Sequence, residues 1–411
     1  MLELKVEVEP GDVGFDAARL ARIDAHFARY VDDGRLPGWL ILVSRAGKVV
    51  HLGVRGQRDM EAGKPMEANT LFRIYSMTKP ITAVAAMMLY EEGAFELKDP
   101  VSRFIPAFGD ARVYKSGSAL KPVTEPLREP LRIWHLLTHT AGLTYGFHHA
   151  HPVDALYRAA GFEWGPPHNL NLAACCETWA GLPLLFQPGT EWNYSVASDV
   201  LGRVIEVASG MNLDQFFNER IFQPLAMQDT RFWVDDGDSD RLAALYSPQP
   251  NTLQALRNNA LDRIGRQRPA SCLGGDGLVS TVADYHRFTQ MLLRGGELDG
   301  VRLLGNRTLR YMTRNHLPGG VDLERFGRPL FAETTFDGIG YGLGFSVALD
   351  PVANKVLSSP GEFAWGGAAS TAFWVDPAEK ITVLLFTQLF PSSTHPLRPQ
   401  LRQLVYQALV N

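Results

Sequence analysis

The sequence predicts an α/β fold of the α+β type: an antiparallel β-sheet flanked by helices, built from both chain ends, with a mostly helical lobe inserted between them. Two observations support this prediction. The patterns at the two ends mirror each other, since a helix and two strands open the chain and two strands and a helix close it. The long middle section instead carries helical patterns interrupted by proline, glycine and histidine.

The N-terminal pattern begins with a predicted amphipathic helix over residues 16–33. Apolar residues recur there every three or four positions, which places them on one helix face. Two β-rich runs follow, at 38–44 and 49–54. The turn between them contains Gly47, so we predict an antiparallel hairpin.

The C-terminal pattern runs in the opposite order. Residues 370–375 and 381–388 are β-rich and flank a turn segment at 376–380. A final helix is predicted over 397–410. We expect the two ends of the chain to build one antiparallel sheet that helices cover.

These patterns divide the chain into two predicted lobes. Residues 1–99 and 270–411 form an α/β lobe that contains the sheet, and residues 100–269 form a mostly helical lobe. Because a cleft between lobes is a common place for a ligand site, we expect the active site there.

The predicted helical lobe has its strongest helix patterns at 133–137, 197–208 and 213–221. The segment 114–129 is polar and contains proline, so we predict a surface loop there. The acidic run at 235–240 is predicted to be a solvated turn, because the bidentate glutamate of a calcium loop is missing.

The composition is that of a folded protein without affinity for polyanions. The chain has 411 residues, of which 45% are hydrophobic and 20% charged, enough to bury a sizeable core. Lys and Arg number 40 against 44 Asp and Glu, a formal net charge of −4 that offers no basic field to nucleic acid or an anionic membrane. No uncharged apolar run approaches the roughly 18 residues of a membrane span.

Cysteine use indicates a reducing compartment. The chain has 3 cysteines, too few for a disulfide framework, and Cys175 and Cys176 are adjacent. Residues 1–15 alternate charged and apolar side chains, without the basic and apolar regions of a secretory signal. We therefore expect a cytoplasmic protein.

The sequence Ser76-Met77-Thr78-Lys79 opens a predicted helix that ends at Gly93. Ser76 and Lys79 are three positions apart and so share a helix face. A partly desolvated lysine there can lose its proton near neutral pH and activate the serine hydroxyl. The helix start also directs the serine N–H and the helix dipole at a developing oxyanion. In the competing interpretation, Ser76 is an ordinary N-cap.

The same spacing occurs again at Ser118 and Lys121. That copy lies in a polar stretch stopped by Pro122, which does not support a helix. Because the spacing alone is weak evidence, the context favours Ser76 as the nucleophile.

A tyrosine at a loop-to-helix junction is the second candidate. Tyr194 precedes a helix predicted to begin near Ala197. From that position its phenol can enter a cleft, where a lysine ammonium would let it ionise below its usual pKa of about 10 and shuttle protons. In the competing interpretation, Tyr194 is a boundary residue with its ring in the core and its hydroxyl in water.

Two glycines mark the third candidate segment, Trp365-Gly366-Gly367-Ala368, where the late strands begin. Glycine weakens a strand, so the pair indicates a bulge or a close backbone approach by a ligand. A backbone N–H here can supply the second donor of an oxyanion hole. The competing interpretation is a bend at the strand entry.

Together these three elements resemble the serine β-lactamase and penicillin-binding-protein superfamily, and specifically the family VIII carboxylesterases, over roughly residues 15–405. The resemblance implies a β-lactamase/transpeptidase-like fold. It implies Ser76 as nucleophile, Lys79 and Tyr194 as its base pair, and the backbone N–H groups of Ser76 and Ala368 as the oxyanion hole. The residues around the motifs match the superfamily as well, at 71–75, 136–143 and 187–190.

The chain departs from the superfamily pattern at two substrate-binding positions. Val196 stands where the second motif usually has Asn, which binds a substrate amide. Trp365 stands where the third motif usually has a cation, which pairs with a substrate carboxylate. Family VIII esterases typically share this Trp-Gly-Gly form, so the resemblance implies that Trp365, Gly366 and Gly367 contact an ester substrate.

Histidines and aromatic residues of the helical lobe complete the candidates. His148, His149 and His151 lie in a predicted loop without a carboxylate or cysteine to complete a metal site. Four aromatic residues are expected in the core or in an apolar acyl or alcohol pocket: Tyr145, Phe147, Tyr157 and Trp164.

The sequence therefore predicts a serine carboxylesterase that hydrolyses small or apolar acyl esters through a Ser76 acyl-enzyme, with no metal or cofactor. Its partner is a small-molecule ester. Three alternatives stay open: a hydrolase of the β-lactamase or DD-peptidase type, an acyltransferase to an alcohol acceptor, and a non-catalytic binding protein on the same fold.

Overall fold

The computed structural model describes residues 4–410, and its regular elements follow in chain order. The α-helices are α1 (Ala17–Leu20), α2 (Arg22–Asp32), α3 (Thr78–Glu91), α4 (Ile133–Leu137), α5 (Pro152–Ala159), α6 (Leu172–Gly181), α7 (Ala197–Ser209), α8 (Leu213–Phe217), α9 (Val282–Leu293), α10 (Asn306–Met312), α11 (Leu323–Phe326), α12 (Pro351–Asn354) and α13 (Leu397–Tyr406). The strands are β1 (Gly38–Arg45), β2 (Lys48–Asp59), β3 (Lys64–Pro65), β4 (Phe72–Arg73), β5 (Arg112–Ser118), β6 (Lys121–Pro126), β7 (Tyr246–Pro248), β8 (Ala255–Arg257), β9 (Val279–Ser280), β10 (Glu297–Leu298), β11 (Val301–Arg302), β12 (Ile339–Tyr341), β13 (Ser346–Ala348), β14 (Phe363–Gly367), β15 (Thr371–Asp376) and β16 (Ile381–Phe386).

Within residues 4–410, eight strands form one sheet in the order β12-β13-β14-β15-β16-β1-β2-β3. All neighbouring strands in it are antiparallel. The two ends of the chain meet inside this sheet, where Ile41 of β1 pairs with Leu385 of β16. The predicted antiparallel sheet built from both chain ends is therefore confirmed.

Helices cover both faces of the sheet, which is why β1 and β16 are almost continuously apolar and buried. On one face, Phe27 of α2 and Leu401 of α13 share a core with Trp39 of β1. On the other face, the ring of Tyr285 in α9 lies 5.3 Å from the ring of Phe373 in β15. Burial of these aromatic and aliphatic side chains is the main stabilisation of the sheet.

The predicted N-terminal helix forms as two consecutive helices, α1 and α2. The Asp16 carboxylate caps the first by accepting the Arg19 N–H at 2.8 Å. The predicted hairpin follows as β1 and β2, and its turn residues Ala46 and Gly47 have φ of 51° and 82°. Two positive φ values in a two-residue turn match the twist of the strands that it joins.

The prediction of a surface loop at 114–129 is wrong, because β5 and β6 form a hairpin there. Proline is tolerated in β6 because this sheet has two strands, which leaves an outer edge that needs no ladder donor. The hairpin pairs Ser118 with Lys121 across its end. The second copy of the serine–lysine spacing therefore lies on a hairpin and not on a helix.

Two of the three strong helix predictions in the middle section are confirmed, as α4 and α7. The third is shorter than predicted, since α8 ends at Phe217 and the chain continues as a π-helix over Asn218–Phe222. No helix between residues 4 and 410 is long and apolar enough to cross a bilayer.

The acidic run at 235–240 forms a 3-10 helix over Asp236–Arg241, so the predicted turn is wrong in detail. Arginine side chains hold the run in place, because Arg241 donates to Asp238 at 3.0 Å and to Asp229 at 2.8 Å. Arg241 thus supplies a counter-charge to Asp238 of the run and joins the run to Asp229.

The middle section is less helical than predicted, because it contains β5 to β8. Its second hairpin also contacts the C-terminal section: the Tyr246 N–H donates to Gln388 O at 2.9 Å. The exact division into two lobes, at residues 99 and 269, stays a prediction.

Candidate active site

Ser76 lies in the short connection between β4 and α3. Tyr75, Ser76 and Met77 form one 3-10 turn, and Tyr75 has φ of 45°, an unfavourable value for a non-glycine residue. Met77 occupies the N-cap position of α3. The interpretation of Ser76 as an ordinary N-cap is therefore wrong, because its hydroxyl faces other partners.

The partners of the Ser76 hydroxyl are the two residues that the sequence paired with it. Lys79 Nζ lies 3.1 Å from Ser76 Oγ, and the Tyr194 hydroxyl donates to the same oxygen at 2.6 Å. Lys79 also donates to the carbonyl oxygen of Gly275 at 2.8 Å. The structure thus brings Ser76, Lys79 and Tyr194 into one hydrogen-bonded group.

Lys79 is a buried amine with a depressed pKa. Burial disfavours the ammonium and lowers the Lys79 pKa to about 8, against the opposing effect of the Asp199 and Asp276 carboxylates. Near neutral pH a useful fraction of this amine is therefore unprotonated. A neutral amine 3.1 Å from a hydroxyl can accept its proton.

Tyr194 behaves differently from the expectation for it. Burial, with a smaller effect from Glu333, raises the Tyr194 pKa well above 10, although the hydrogen bond to Ser76 opposes the shift. The expected ionisation below 10 is wrong, because the ring is enclosed by other aromatic rings, those of His139 at 5.3 Å and Trp365 at 5.5 Å among them. The phenol is a neutral donor in the resting site.

The loop before α7 positions Tyr194 through backbone contacts. The carbonyl oxygen of Tyr194 accepts a hydrogen bond from His148 Nε2 at 2.9 Å, and the Asn193 N–H donates to His139 O at 2.9 Å. Sequence reasoning missed the supporting roles of His139 and Asn193. The available signal was the segment 136–143, which contains His139 and is one of the segments around the motifs that match the superfamily.

The oxyanion hole expected from the backbone N–H groups of Ser76 and Ala368 stays a prediction, and two turns of the backbone bear on it. In the 3-10 turn the N–H of Met77 donates to Ile74 O at 3.0 Å, so the Ser76 N–H precedes the first donor of the turn and has no acceptor within it. Across the cavity, Ser370 N donates to Gly367 O at 3.0 Å and closes a turn around Ala368. Ala368 and Ser76 line the same cavity, with the Ala368 N–H at a turn position that needs no internal acceptor.

Other groups of the protein approach both glycines of the Trp365–Ala368 segment closely. β14 pairs regularly with β15 from Phe363 to Gly367, which does not support the predicted bulge or bend. A Cβ on Gly366 would clash with the Arg398 guanidinium, and one on Gly367 would clash with Ile74 O. The close approaches predicted at these glycines are therefore made by groups of the protein.

Trp365 is 1% exposed, and its ring packs against the ring of Tyr194 at 5.5 Å. It also packs against the ring of Tyr341, at 5.4 Å. Trp365 lines a second cavity of about 470 Å³ and not the cavity that Ser76 lines. A direct contact between Trp365 and a substrate stays a prediction.

The Ser76 cavity has a volume of about 310 Å³ and largely aromatic walls. Three of the four aromatic residues singled out from the sequence line it, namely Tyr145, Phe147 and Trp164. The fourth, Tyr157, is 1% exposed and packs in the core. Val196 also lines the cavity, at the position where an amide-binding residue is missing.

Sequence reasoning missed two carboxylates beside Lys79. Burial raises the pKa of Asp199 and of Asp276 to about 6, against the opposing effect of Lys79. Asp199 accepts the Gly275 N–H at 2.7 Å, and Gly275 O accepts from Lys79. The two aspartates come from segments far apart in sequence, so no local pattern indicated their proximity.

Within the described range, no group of three or more His, Cys, Asp and Glu side chains is arranged to hold a metal ion. Of the three predicted loop histidines, His148 contacts Tyr194 and His149 lies 3.3 Å from Glu163. The thiols of Cys175 and Cys176 are buried in α6 and, like Cys272, are not in a disulfide.

Comparison with known proteins agrees with the fold. A family model described as beta-lactamase matches residues 23–407. The chain is 37% identical to protein Rv1367c of Mycobacterium tuberculosis, over 88% of each chain, and 32% identical to esterase EstB of Burkholderia gladioli, over 97% of this chain and 98% of EstB. The solved structure of EstCE1, a hydrolase with promiscuous acyltransferase activity, superposes with a TM-score of 0.80 at 29% identity and covers 95% of this chain and 99% of its own. The chain belongs to the β-lactamase family.

Proposed function

We propose that this protein is a serine carboxylesterase that hydrolyses small or apolar acyl esters through an acyl-enzyme on Ser76. The observation that carries the proposal is the single oxygen, Ser76 Oγ, that both Lys79 Nζ and the Tyr194 hydroxyl contact at the wall of an aromatic cavity. The relationship to esterase EstB and to the hydrolase EstCE1 supports the same reaction class.

Acylation begins when neutral Lys79 accepts the proton of the Ser76 hydroxyl. Ser76 Oγ then attacks the ester carbonyl carbon, and the carbonyl oxygen becomes an oxyanion. The N–H groups of Ser76 and Ala368 stabilise that charge, a contribution typically worth about 3 kcal/mol for each donor. Because the Lys79 pKa is about 8, part of the amine is already neutral near pH 7 and can act as the base.

The leaving alcohol needs a proton, and Tyr194 is placed to provide it. Its neutral phenol donates to Ser76 Oγ at rest and can donate to the alkoxide as the C–O bond breaks. The proton that Lys79 took from Ser76 then restores the phenol. Deacylation runs in reverse: water loses a proton to the same pair, attacks the acyl carbon, and the serine regains its hydroxyl hydrogen.

The cavity indicates the size and polarity of the substrate. Its volume of about 310 Å³ is at the lower end for small-molecule sites, which suits a short acyl group with a modest alcohol. Val196 and the aromatic walls offer apolar contact where an amide-binding side chain is absent. β-Lactams and peptides, which carry amide and carboxylate groups, are therefore poorer substrates than simple esters.

The direct test is a parallel rate assay of the wild type and Ser76→Ala on p-nitrophenyl acetate, p-nitrophenyl butyrate and nitrocefin. We expect turnover of both esters in the wild type, none above background in the variant, and little hydrolysis of nitrocefin. Ester turnover that survives in Ser76→Ala would contradict the proposal. Ser118→Ala, on the β5–β6 hairpin, is the matched control and should keep wild-type rates.

Acyl transfer to an alcohol is the second candidate, and the structural neighbour EstCE1, which has promiscuous acyltransferase activity, favours it. An alcohol can replace water in deacylation because the Lys79 and Tyr194 pair serves either nucleophile. The test is product partitioning: with rising concentrations of a primary alcohol, a transferase forms new ester at the expense of free acid.

We also propose a cytoplasmic location on the ground of the three free thiols, to be tested by cell fractionation.

A further inference from the structure

The cavity in front of Ser76 combines apolar walls with an excess of negative charge. Among the described residues that line it, four are carboxylic acids and none is lysine or arginine. The four acids are Glu163, Asp199, Asp276 and Glu333. An ester site of this kind has no partner for a substrate carboxylate.

The charge of these acids is only partly compensated within the protein. Glu333 pairs with Arg398 at 2.5 Å and accepts the Ser392 hydroxyl at 3.0 Å, so its charge is balanced. Asp199 and Asp276 share one cation, Lys79. Because Lys79 must be neutral before it accepts the Ser76 proton, the two aspartates lack this counter-charge while the substrate binds to the reactive form of the enzyme.

Asp276 is the carboxylate that a ligand in the cavity would meet. Asp199 is 3% exposed and is bound to the Gly275 N–H. Asp276 is partly exposed on the cavity wall, and one of its oxygens accepts the N–H of Gly277 at 2.6 Å. A carboxylate has lone pairs beyond that single bond, and Asp276 lines the cavity in which a ligand could use them.

Stacked aromatic rings form another wall of the cavity. Phe147 stacks on Tyr145 with ring centroids 4.7 Å apart and on Trp164 at 5.4 Å, with interplanar angles of 18° and 11°. Phe390 adds an edge-on contact to Trp164 at 5.6 Å. The faces of aromatic rings attract ammonium groups, and such walls bind quaternary ammonium ligands in other proteins.

Tyr75 provides an independent sign of a polar ligand. It lines the cavity and is 6% exposed, and its hydroxyl has no hydrogen-bond partner among the described residues. An unpartnered buried hydroxyl is costly unless a ligand completes it. The Tyr75 oxygen can accept an N–H of a protonated amine, or it can contact the positively charged methyl groups of a quaternary ammonium.

From these contacts we propose that the site selects cationic esters, in which a quaternary ammonium or protonated amine lies between Asp276 and the aromatic wall while the carbonyl reaches Ser76. This inference rests on the proposed esterase function and deepens it. The same negative charge disfavours esters that carry a carboxylate a few bonds from the reacting carbonyl.

The test compares p-nitrophenyl esters of matched shape. One carries a γ-trimethylammoniobutyryl group, the second replaces the trimethylammonium with a tert-butyl group, and the third is the glutarate monoester. Acetylcholine against its neutral tert-butyl isostere tests the alcohol side. We expect kcat/KM to be roughly tenfold higher for the cation in at least one pair, and lowest for the glutarate. A ratio at or below one in both pairs of the wild-type enzyme overturns the inference.

Two variants and one control connect this preference to the named residues. Asp276→Asn keeps the acceptor for the Gly277 N–H and should bring the cation-to-neutral ratio to within about twofold of unity. Trp164→Leu, at an exposed position on the rim, should lower the rate of the cationic ester more than that of its isostere. Asp110→Asn removes an exposed carboxylate outside the cavity and should leave the ratio unchanged. An unchanged ratio in folded Asp276→Asn overturns the inference.

The outcomes separate this inference from the proposed function. Hydrolysis of the neutral ester that depends on Ser76 but shows no charge preference overturns only the cationic specificity. If no ester is hydrolysed in a manner that depends on Ser76, the proposed function itself is overturned.

Discussion

Lys79 Nζ lies 4.7 Å from the centroid of the Tyr194 ring, so the amine faces the ring while both side chains contact Ser76 Oγ. The hydrogen bonds from the two residues therefore converge on the serine oxygen. A ring face so close to an ammonium also stabilises its charged form, against the effect of burial. In the proposed mechanism this arrangement separates the two roles: the amine takes the serine proton, and the neutral phenol supplies one to the leaving group.

The activity should depend on pH through Lys79. Its catalytic form is the neutral amine, and its pKa is lowered to about 8. The value of kcat/KM should therefore rise with pH and level off above a midpoint near 8, because the protonated amine cannot accept the serine proton. The measurement is the pH–rate profile of p-nitrophenyl butyrate hydrolysis, corrected for the uncatalysed rate. A profile that is flat across this range, or that falls, contradicts the assignment of Lys79 as base.

Asp199 should set the position of that midpoint. Its carboxylate raises the Lys79 pKa, and Asn in its place keeps an oxygen for the Gly275 N–H while removing the charge. Asp199→Asn should therefore shift the acid limb to lower pH. A merely structural role for Asp199 would lower kcat at all pH values without moving the midpoint.

Tyr194→Phe should lower kcat by at least about a hundredfold, because it removes the proton donor to Ser76 Oγ and the leaving group. Its ring contacts with His139 and Trp365 remain, so the melting temperature should change little. Steady-state kinetics and thermal unfolding measure the two effects. Tyr157→Phe, at a buried tyrosine outside the cavity, is the control and should retain activity. Equal loss in both variants would show that Tyr194 acts only through packing.

Gly367→Ala should destabilise the fold as well as the site. The new methyl group would clash with the carbonyl oxygen of Ile74, two residues before Ser76. Overpacking of this kind costs about 1–3 kcal/mol and would move the oxyanion donors of Ser76 and Ala368 apart. Denaturant unfolding and kcat should both register it. Gly181→Ala, where the methyl group meets open space, is the matched control; a loss of stability there as large as at Gly367 would contradict the explanation.

Local patterns of apolar residues predicted a helix or strand correctly where the burial of that element determines the pattern. The apolar period of 16–33 predicted α1 and α2 because these helices bury one face, and the β-rich run of 381–388 predicted β16, which is buried on both faces. The polar hairpin of β5 and β6 escaped prediction because its composition is that of a loop. Its strands are instead held by pairing with each other and by the Tyr114 N–H, which donates to Leu184 O at 2.8 Å.

The sequence predicted which residues form the candidate site, but it did not predict the pKa shifts within it. Ser76, Lys79 and Tyr194 were named from three short motifs and their order along the chain. The raised pKa of Tyr194 and the two aspartates beside Lys79 depend on packing between segments that are distant in sequence. Burial of a group by remote rings leaves no trace in the residues next to it, so the expected ionisation of Tyr194 had the wrong sign.

Trapping of the acyl-enzyme tests the central claim most directly. The enzyme is mixed with p-nitrophenyl acetate, quenched in acid within one turnover, digested and analysed by mass spectrometry. We expect one acetyl group on the peptide that contains Ser76 and no adduct in Ser76→Ala. An acetyl group on Ser118 or another side chain at wild-type turnover, with Ser76 unmodified, would contradict the account.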